Sequence, residues 1–243
     1  MEGYNKTTYG AMWAPHYDEV YTDVRPAMID RLAEFGGGGR VLELAIGTGR
    51  VALPLVERGI DLTGIDISPE MVARLRAKPR GGEIPVVMGD FADVPIEGTF
   101  RLIYLVFNTL FGLDDQESQV RCFTNVAAHL SSGGRFVTET FFPDVSRFDR
   151  GQRFSSLAVN LEEVRVEASR HDKVAQLVVT QQVHIREEGL RLYPVSVRYA
   201  WPPEMDLMAR IAGLELESRW GGWERQPFDN QSQIHVSVYR KPA

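Results

Sequence analysis

The stretch Val41-Leu42-Glu43-Leu44-Ala45-Ile46-Gly47-Thr48-Gly49, followed one unit later by Gly64-Ile65-Asp66, decides the fold. An apolar run that enters a glycine turn and then a helical pattern brings bare backbone N–H groups against a ligand. An acid after the next strand is placed to accept from ribose hydroxyls. Together they predict a nucleoside-cofactor site. Outward from it, strand and helix signals alternate: Val51 to Glu57 as helix, Asp61 to Ile65 as strand, Pro69 to Ala77 as a helix capped by Ser68. Strands follow at Ile84 to Met88 and Leu102 to Phe107, then a helix over 115–130 with Val120, Phe123, Ala127 and Leu130 on one stripe, then a strand at Arg135 to Thr140. This rhythm predicts an α/β fold, a parallel sheet doubly wound by helices.

From Val164 the period changes to two. It is clearest at Leu190 and Leu192, then Val195, Val197, Tyr199 and Trp201, with Glu188-Gly189 as a hairpin turn before them. Two or three antiparallel strands are expected there, a small addition over 145–202 that Pro202-Pro203 ends. A helix (Glu204 to Ala212) and two strands (Leu214 to Trp220, Ile234 to Tyr239) then return to the main sheet as an antiparallel edge, for seven strands in all. The expected organisation is an aromatic-rich N-terminal cap over 1–39, a cofactor-binding domain over 40–144 and 203–243, and an inserted substrate-covering subdomain over 145–202.

With 243 residues, 44% apolar and 25% charged, one large domain with an embellishment is the expectation, not a disordered chain. A net charge of −6 without a basic run disfavours nucleic acid as a partner. The longest apolar run, Leu102 to Phe107, is far short of a bilayer span, and Met1 to Lys6 lacks the apolar core of a secretory signal. One cysteine, Cys122, makes neither an internal disulfide nor a cysteine-rich metal site, and no metal is expected. These features point to the cytoplasm, and a homo-oligomer is compatible with them.

Gly47-Thr48-Gly49-Arg50-Val51-Ala52 alone fits the dinucleotide fingerprint, which leaves an NAD(P)-dependent reductase open. Glu43 weighs against it, an acid where a dehydrogenase keeps an apolar residue. So does Asp90 in Val87-Met88-Gly89-Asp90-Phe91, placed to accept from an adenine amino group while Phe91 covers the ring. No Tyr-x-x-x-Lys pair is present to protonate a carbonyl.

Glu43 to Gly49, Gly64-Ile65-Asp66-Ile67-Ser68, Gly89-Asp90-Phe91, Leu105 to Leu110 and Leu130-Ser131-Ser132-Gly133-Gly134-Arg135-Phe136 stand in one order and spacing. In this they resemble the motifs of class I S-adenosylmethionine-dependent methyltransferases, whose fold is Rossmann-like. Ala45 departs from that pattern, where glycine is common. The leader with Tyr9 and Tyr17, the run Phe107-Asn108-Thr109-Leu110-Phe111, the added sheet and the ending His235 to Arg240 are similar to small-molecule enzymes of actinobacterial natural-product metabolism, the lincosamide and amino-sugar N-methyltransferases among them.

The resemblance implies transfer of a methyl group from S-adenosylmethionine, leaving S-adenosylhomocysteine, to a small molecule, with an amine nitrogen preferred over oxygen. A module that binds the donor without turnover also stays open. Cofactor contacts are expected from Glu43, Ala45, Gly47, Gly49, Asp66 and Ile67, and from Met71, Asp90, Phe91, Leu105 and Tyr21. Arg25 is expected to pair the donor's carboxylate or to be a solvated helix-surface arginine. Tyr9 and Tyr17 are expected to position the acceptor, Tyr9 also as proton acceptor, although Trp13, Tyr17 and Tyr21, spaced by four, would equally make the buried stripe of one helix. Phe107 and Phe111 are expected on the pocket wall or in ordinary core packing, Asn108 in contact with substrate, and Glu139, at a strand end, either facing the crevice and the substrate or pointing outward.

Overall fold

The computed structural model describes residues 1–22 and 24–243. Strand β1 (Val41–Leu44) is buried along its whole length, as a central parallel strand covered on both faces must be. Around it lie β2 (Leu62–Asp66), β3 (Val86–Met88), β4 (Phe100–Leu105), β5 (Leu130–Phe141), β10 (Glu215–Trp220) and β11 (Ile234–Arg240), in the order β10-β11-β5-β4-β1-β2-β3. Strands β1 to β5 pair in parallel, whereas β11 runs antiparallel to β5 and β10 antiparallel to β11. The chain passes from β1 out to β3 and then back to β4 on the other flank of β1. That reversal opens a crevice at the carboxyl ends of β1 and β4.

Helices cover both faces. One core cluster joins Leu42, Leu44 and Phe136 to helix α6 (Gln116–His129, with Phe123 and Val126) and α7 (Pro202–Ile211, with Met205). The other joins Val41 and Leu62 to α3 (Pro26–Gly36, with Leu32) and α4 (Ala52–Glu57, with Leu55). Helix α5 (Pro69–Arg76) starts as expected: Ser68 accepts from the Met71 N–H and Pro69 fills the first turn. Among the described residues no helix is long and apolar enough to cross a membrane.

A second sheet has four antiparallel strands, β6 (Gln152–Val159), β7 (Glu163–Asp172), β8 (Leu177–Arg186) and β9 (Gly189–Arg198), where two or three were expected. Charged and polar residues such as Arg153, Glu167 and Gln182 hid the first strands, because one face of this sheet is polar. The β8–β9 turn is Glu187-Glu188, one residue earlier than expected, since Arg186 already pairs with Gly189. A buried hub fastens this sheet to the main domain. Arg198 donates to Gln119 (2.5 Å) and to Glu204 (2.7 Å), and Gln119 donates back to the Arg198 carbonyl (2.8 Å).

The leader does not form one helix. Pro15 separates α1 (Thr8–Trp13) from α2 (Tyr17–Val20), because proline cannot continue the turn that precedes it. Both helices lie between the two sheets. Gly10 of α1 rests on Ser68 so closely that a Cβ there would fall 2.3 Å from the Ser68 hydroxyl oxygen.

Candidate active site

The glycine turn leaves β1 through three left-handed residues, Ala45 (φ 55°), Gly47 (φ 57°) and Gly49 (φ 79°). A Cβ on Gly47 would meet nothing closer than 4.0 Å, so that backbone faces open space. One on Gly49 would fall 2.4 Å from Leu75, so that glycine serves packing of the turn on α5. Asp66 closes the turn from the end of β2: its carboxylate accepts from the Gly47 N–H (2.6 Å) and the Ser68 N–H (2.8 Å). Burial raises its pKa against the hydrogen bonds from Ser68, Gly47 and Ile67.

Glu43 is buried and sits in register beside Tyr104 of β4, whose hydroxyl donates to it at 2.7 Å. Burial pushes the Glu43 carboxyl up to about 8, against the pull of Tyr104 and of Arg50. Asp90, after β3, accepts from the Ala92 N–H (2.9 Å) and from Lys6 of the leader (2.5 Å), with Phe91 packed against the core beside it. Met71 lies under α1 in a small cluster with Trp13, Ala14 and Tyr193.

Above the turn stands an aromatic cage. Tyr9 stacks on Trp13 (ring centroids 5.8 Å), Trp13 meets Tyr21 (5.4 Å), Tyr21 meets Tyr17 (4.9 Å), and the edge of Tyr21 meets Phe107 (4.9 Å). The Arg50 guanidinium lies 4.4 Å from the Phe107 ring centre and hydrogen-bonds Tyr17. Phe107 and Asn108 are both left-handed (φ 61° and 63°), a strained pair that hydrogen bonds to β5 hold in place. Glu139 accepts from the Phe107 N–H (3.0 Å), its carbonyl accepts from the Asn108 N–H (3.0 Å), and Asn108 accepts from the Phe141 N–H (2.5 Å).

All three cage tyrosines are shifted toward the protonated phenol. Burial raises Tyr9 well above its ordinary value, Tyr17 to about 12 despite Arg50, and Tyr21 despite a hydrogen bond with Tyr9. These shifts work against a proton-acceptor role for Tyr9, which is favoured by a lowered pKa. Three further placements stand out. The second carboxylate oxygen of Glu139 accepts from the Trp223 indole (3.0 Å), so Glu139 shapes the wall through Phe107 and Trp223. Phe111 and Leu105 have no exposed surface and belong to the core. Arg25 is exposed ahead of α3, and Glu224 feels its charge.

The sequence reading missed Arg50, Lys6 and the clasp on the glycine turn. Thr48 donates to Asp18 of α2 (2.6 Å), and Lys78 donates to both Asp18 and the Thr48 carbonyl (2.8 Å each). Arg50 stood in plain view after Gly49, but there it reads only as a filler of the fingerprint.

A family model described as a methyltransferase domain matches residues 41–134. Over 99% of this chain and 100% of the other, the fold superposes with a TM-score of 0.92 and 37% identity on the CcbJ methyltransferase from Streptomyces caelestis. The chain belongs to the S-adenosylmethionine-dependent methyltransferases. A methyltransferase of Geobacillus thermodenitrificans without a characterised activity is 33% identical over 176 residues, 66% of this chain and 75% of the relative. The cypemycin N-terminal methyltransferase of a Streptomyces species is 26% identical over 205 residues, 84% of each chain.

The site of this methyltransferase fits its cofactor. Carboxylates at the ends of β2 and β3 match the hydroxyl and amine donors of an adenosine, and the bare Gly47 backbone leaves room beside them. When bound, S-adenosylmethionine supplies a methyl group already activated on a sulfonium. What remains for the chain is to hold, orient and exclude water.

Proposed function

We propose that this enzyme methylates an amine nitrogen of a small molecule of secondary-metabolite type. The observation that carries this is the burial of the cage, which favours the phenol form of Tyr9, Tyr17 and Tyr21 and pushes the Glu43 carboxyl up to about 8. An alcohol must lose its proton to become a nucleophile, and the described residues of the cage offer it no strong base. An amine brings its own lone pair, and its ammonium form gives up a proton more readily in a water-poor aromatic setting. The name of the cypemycin relative, an N-terminal methyltransferase, supports the same choice.

In this reading Gly47, Ala45, Asp66, Ile67 and Asp90 hold the adenosyl moiety with Phe91 and Met71, while Gly49 keeps the turn seated on α5. Glu43 and Arg50 flank the amino-acid end. Tyr9 accepts a hydrogen bond from the acceptor amine through its oxygen lone pair, Tyr17 and Tyr21 close the cage, and Phe107 forms its floor. Residues 145–202 act as the roof.

The test is turnover of isotopically labelled S-adenosylmethionine with matched panels of small amines, alcohols and phenols, read by mass spectrometry. Amines are expected to be methylated, with alcohols at least about 100-fold slower, a difference of ~2.7 kcal/mol in the barrier. Methylation of alcohols or phenols in preference to amines overturns the reading. Tyr9→Phe is expected to slow turnover about 10-fold with cofactor affinity unchanged, the signature of a hydrogen bond that orients the acceptor in the transition state.

A further inference from the structure

Strand β4 leaves the main sheet after Leu105, the last of its residues in register with β5. Beyond it Phe107 and Asn108 turn left-handed (φ 61° and 63°), a conformation that L side chains seldom hold without support. The support converges on Glu139 of β5. Its Oε2 accepts from the Phe107 N–H (3.0 Å), its main-chain carbonyl from the Asn108 N–H (3.0 Å), and its Oε1 from the Trp223 indole (3.0 Å). Trp223 lies in the turn after β10, has no exposed surface and belongs to the core cluster of Val137 and Val236. Val236 stands in register beside Glu139. Phe107 is by contrast only half-buried, and its ring carries the Arg50 guanidinium (4.4 Å) and meets the Tyr21 ring (4.9 Å).

We propose that Glu139 and Trp223 are positioning residues of the methyl transfer, and that both act through Phe107. Trp223 holds the carboxylate, the carboxylate holds the Phe107 backbone, and that backbone aims the ring that floors the acceptor cage. The proposal rests on the reading of the cage as the acceptor site. A displacement of ~1 Å in such a site, caused far from the chemistry, can cost about 100-fold in rate. A half-buried ring on a strained backbone is where such a displacement starts once the hold is lost.

The hold is a match of donors to acceptors. Two N–H groups, from Trp223 and Phe107, face the two oxygens of one carboxylate. Glu139→Gln leaves one oxygen and one amide NH2 against the same two donors, so that a donor meets a donor. Trp223→Phe leaves two oxygens against one donor, and one carboxylate oxygen loses its partner beside a fully buried side chain. Made together, the two changes match again. The amide oxygen accepts from the Phe107 N–H, and the amide NH2 faces the phenyl ring that replaces the indole. A hold on Phe107 therefore predicts rescue in the double variant, whereas two independent structural losses would add.

Native-state hydrogen exchange and steady-state kinetics on the full chain test this together. In each single variant the Phe107 and Asn108 amides are expected to exchange at least about 10-fold faster, with the Ile103 amide of β4 unchanged. The kcat for amines that the wild type methylates is expected to fall about 10-fold, while affinity for S-adenosylhomocysteine, which this reading seats on Asp66 and Asp90, stays within about 3-fold. The double variant is expected to return both readings to within about 3-fold of the wild type. Unchanged Phe107 exchange in the single variants overturns the proposal. So does a loss of kcat matched by an equal loss of cofactor affinity, or a double variant no better than the worse single one. If alcohols prove to be the preferred acceptors, the amine reading falls, and the same two readouts, taken with the alcohol, still decide the hold on Phe107.

Discussion

The roof sheet meets its neighbours in two opposite ways. Toward α6 and α7 it is welded: Arg198 is buried and satisfied by Gln119, Glu204 and Gln176, and Gln119 spends its amide on the Leu110, Leu113 and Arg198 carbonyls. Toward the leader it packs through rings, Trp13 on Tyr193 (4.6 Å), with no comparable polar network among the described residues. There the indole N–H of Trp13 and Nε2 of His184 are buried without a partner among the described residues. Beyond the Trp13 cluster, the polar fastenings between the leader and the main domain, Lys6–Asp90 and Asp18–Lys78, are partly exposed ion pairs. A saturated buried network makes two parts into one body, whereas exposed pairs worth a fraction of a kcal/mol let a segment lift. The leader carries Lys6 to Asp90 and supplies Tyr9, Trp13, Tyr17 and Tyr21 to the cage.

The largest effect that can break this contrast is Arg198→Ala. It strands Glu204 and Gln119 in a buried setting and is expected to cost about 3–5 kcal/mol, seen as a fall in melting temperature of roughly 10 °C. A loss below about 1 kcal/mol would make the weld no stronger than the clasp.

Next comes pH. Burial alone would raise Glu204, but hydrogen bonds from Gln176, Arg198 and Gln116 hold it below its ordinary value. Its contribution is therefore present above the carboxylate range and lost as pH falls through the lowered pKa. Glu43, raised from 4.5 to about 8, has the opposite sign: its contribution is full below 4.5 and lost as pH rises through about 8. Urea unfolding from pH 3 to 9 is expected to show the acid-side decline flattened in Glu204→Gln and the decline between about 4.5 and 8 flattened in Glu43→Gln.

Lys6→Ala sharpens the clasp. It is expected to change stability by less than about 1 kcal/mol, yet to raise the rate of proteolytic nicking in the leader about 5-fold in the cofactor-free protein. Unchanged nicking would mean that the leader is held elsewhere. Smallest is Ala45→Gly. It relieves a left-handed alanine at some cost in unfolded-chain entropy, for a net gain of about 0.5 kcal/mol in a denaturant titration.

The Rossmann-like half was legible because its signals are local. Ser68-Pro69 announces a helix start, Gly47 and Gly49 announce a turn, and strands buried on both faces read as apolar runs. The ends of β1, β2 and β3 were likewise legible as the seats of Glu43, Asp66 and Asp90. The roof was harder, since a sheet with one polar face dilutes the apolar count in β6 and β7. The cage was legible only as a set of tyrosines: spacing by four suggested one helix, and Pro15 divides it.

By itself the sequence determined the parallel sheet, the glycine turn and the acids around it, because backbone conformation and strand burial impose those residue types locally. It also held, unread, the phase change in β9, where apolar residues pass from the even positions Leu190 and Leu192 to the odd positions Val195 and Val197 with no break in register. That places the first pair on the outer face and the second on the inner. Only the tertiary structure decided which face meets the leader, that Arg50 stacks on Phe107, that Glu139 is spent on Phe107 and Trp223, and that burial raises the Tyr9 pKa. Each of these depends on partners distant in the chain, and on how much water their meeting excludes.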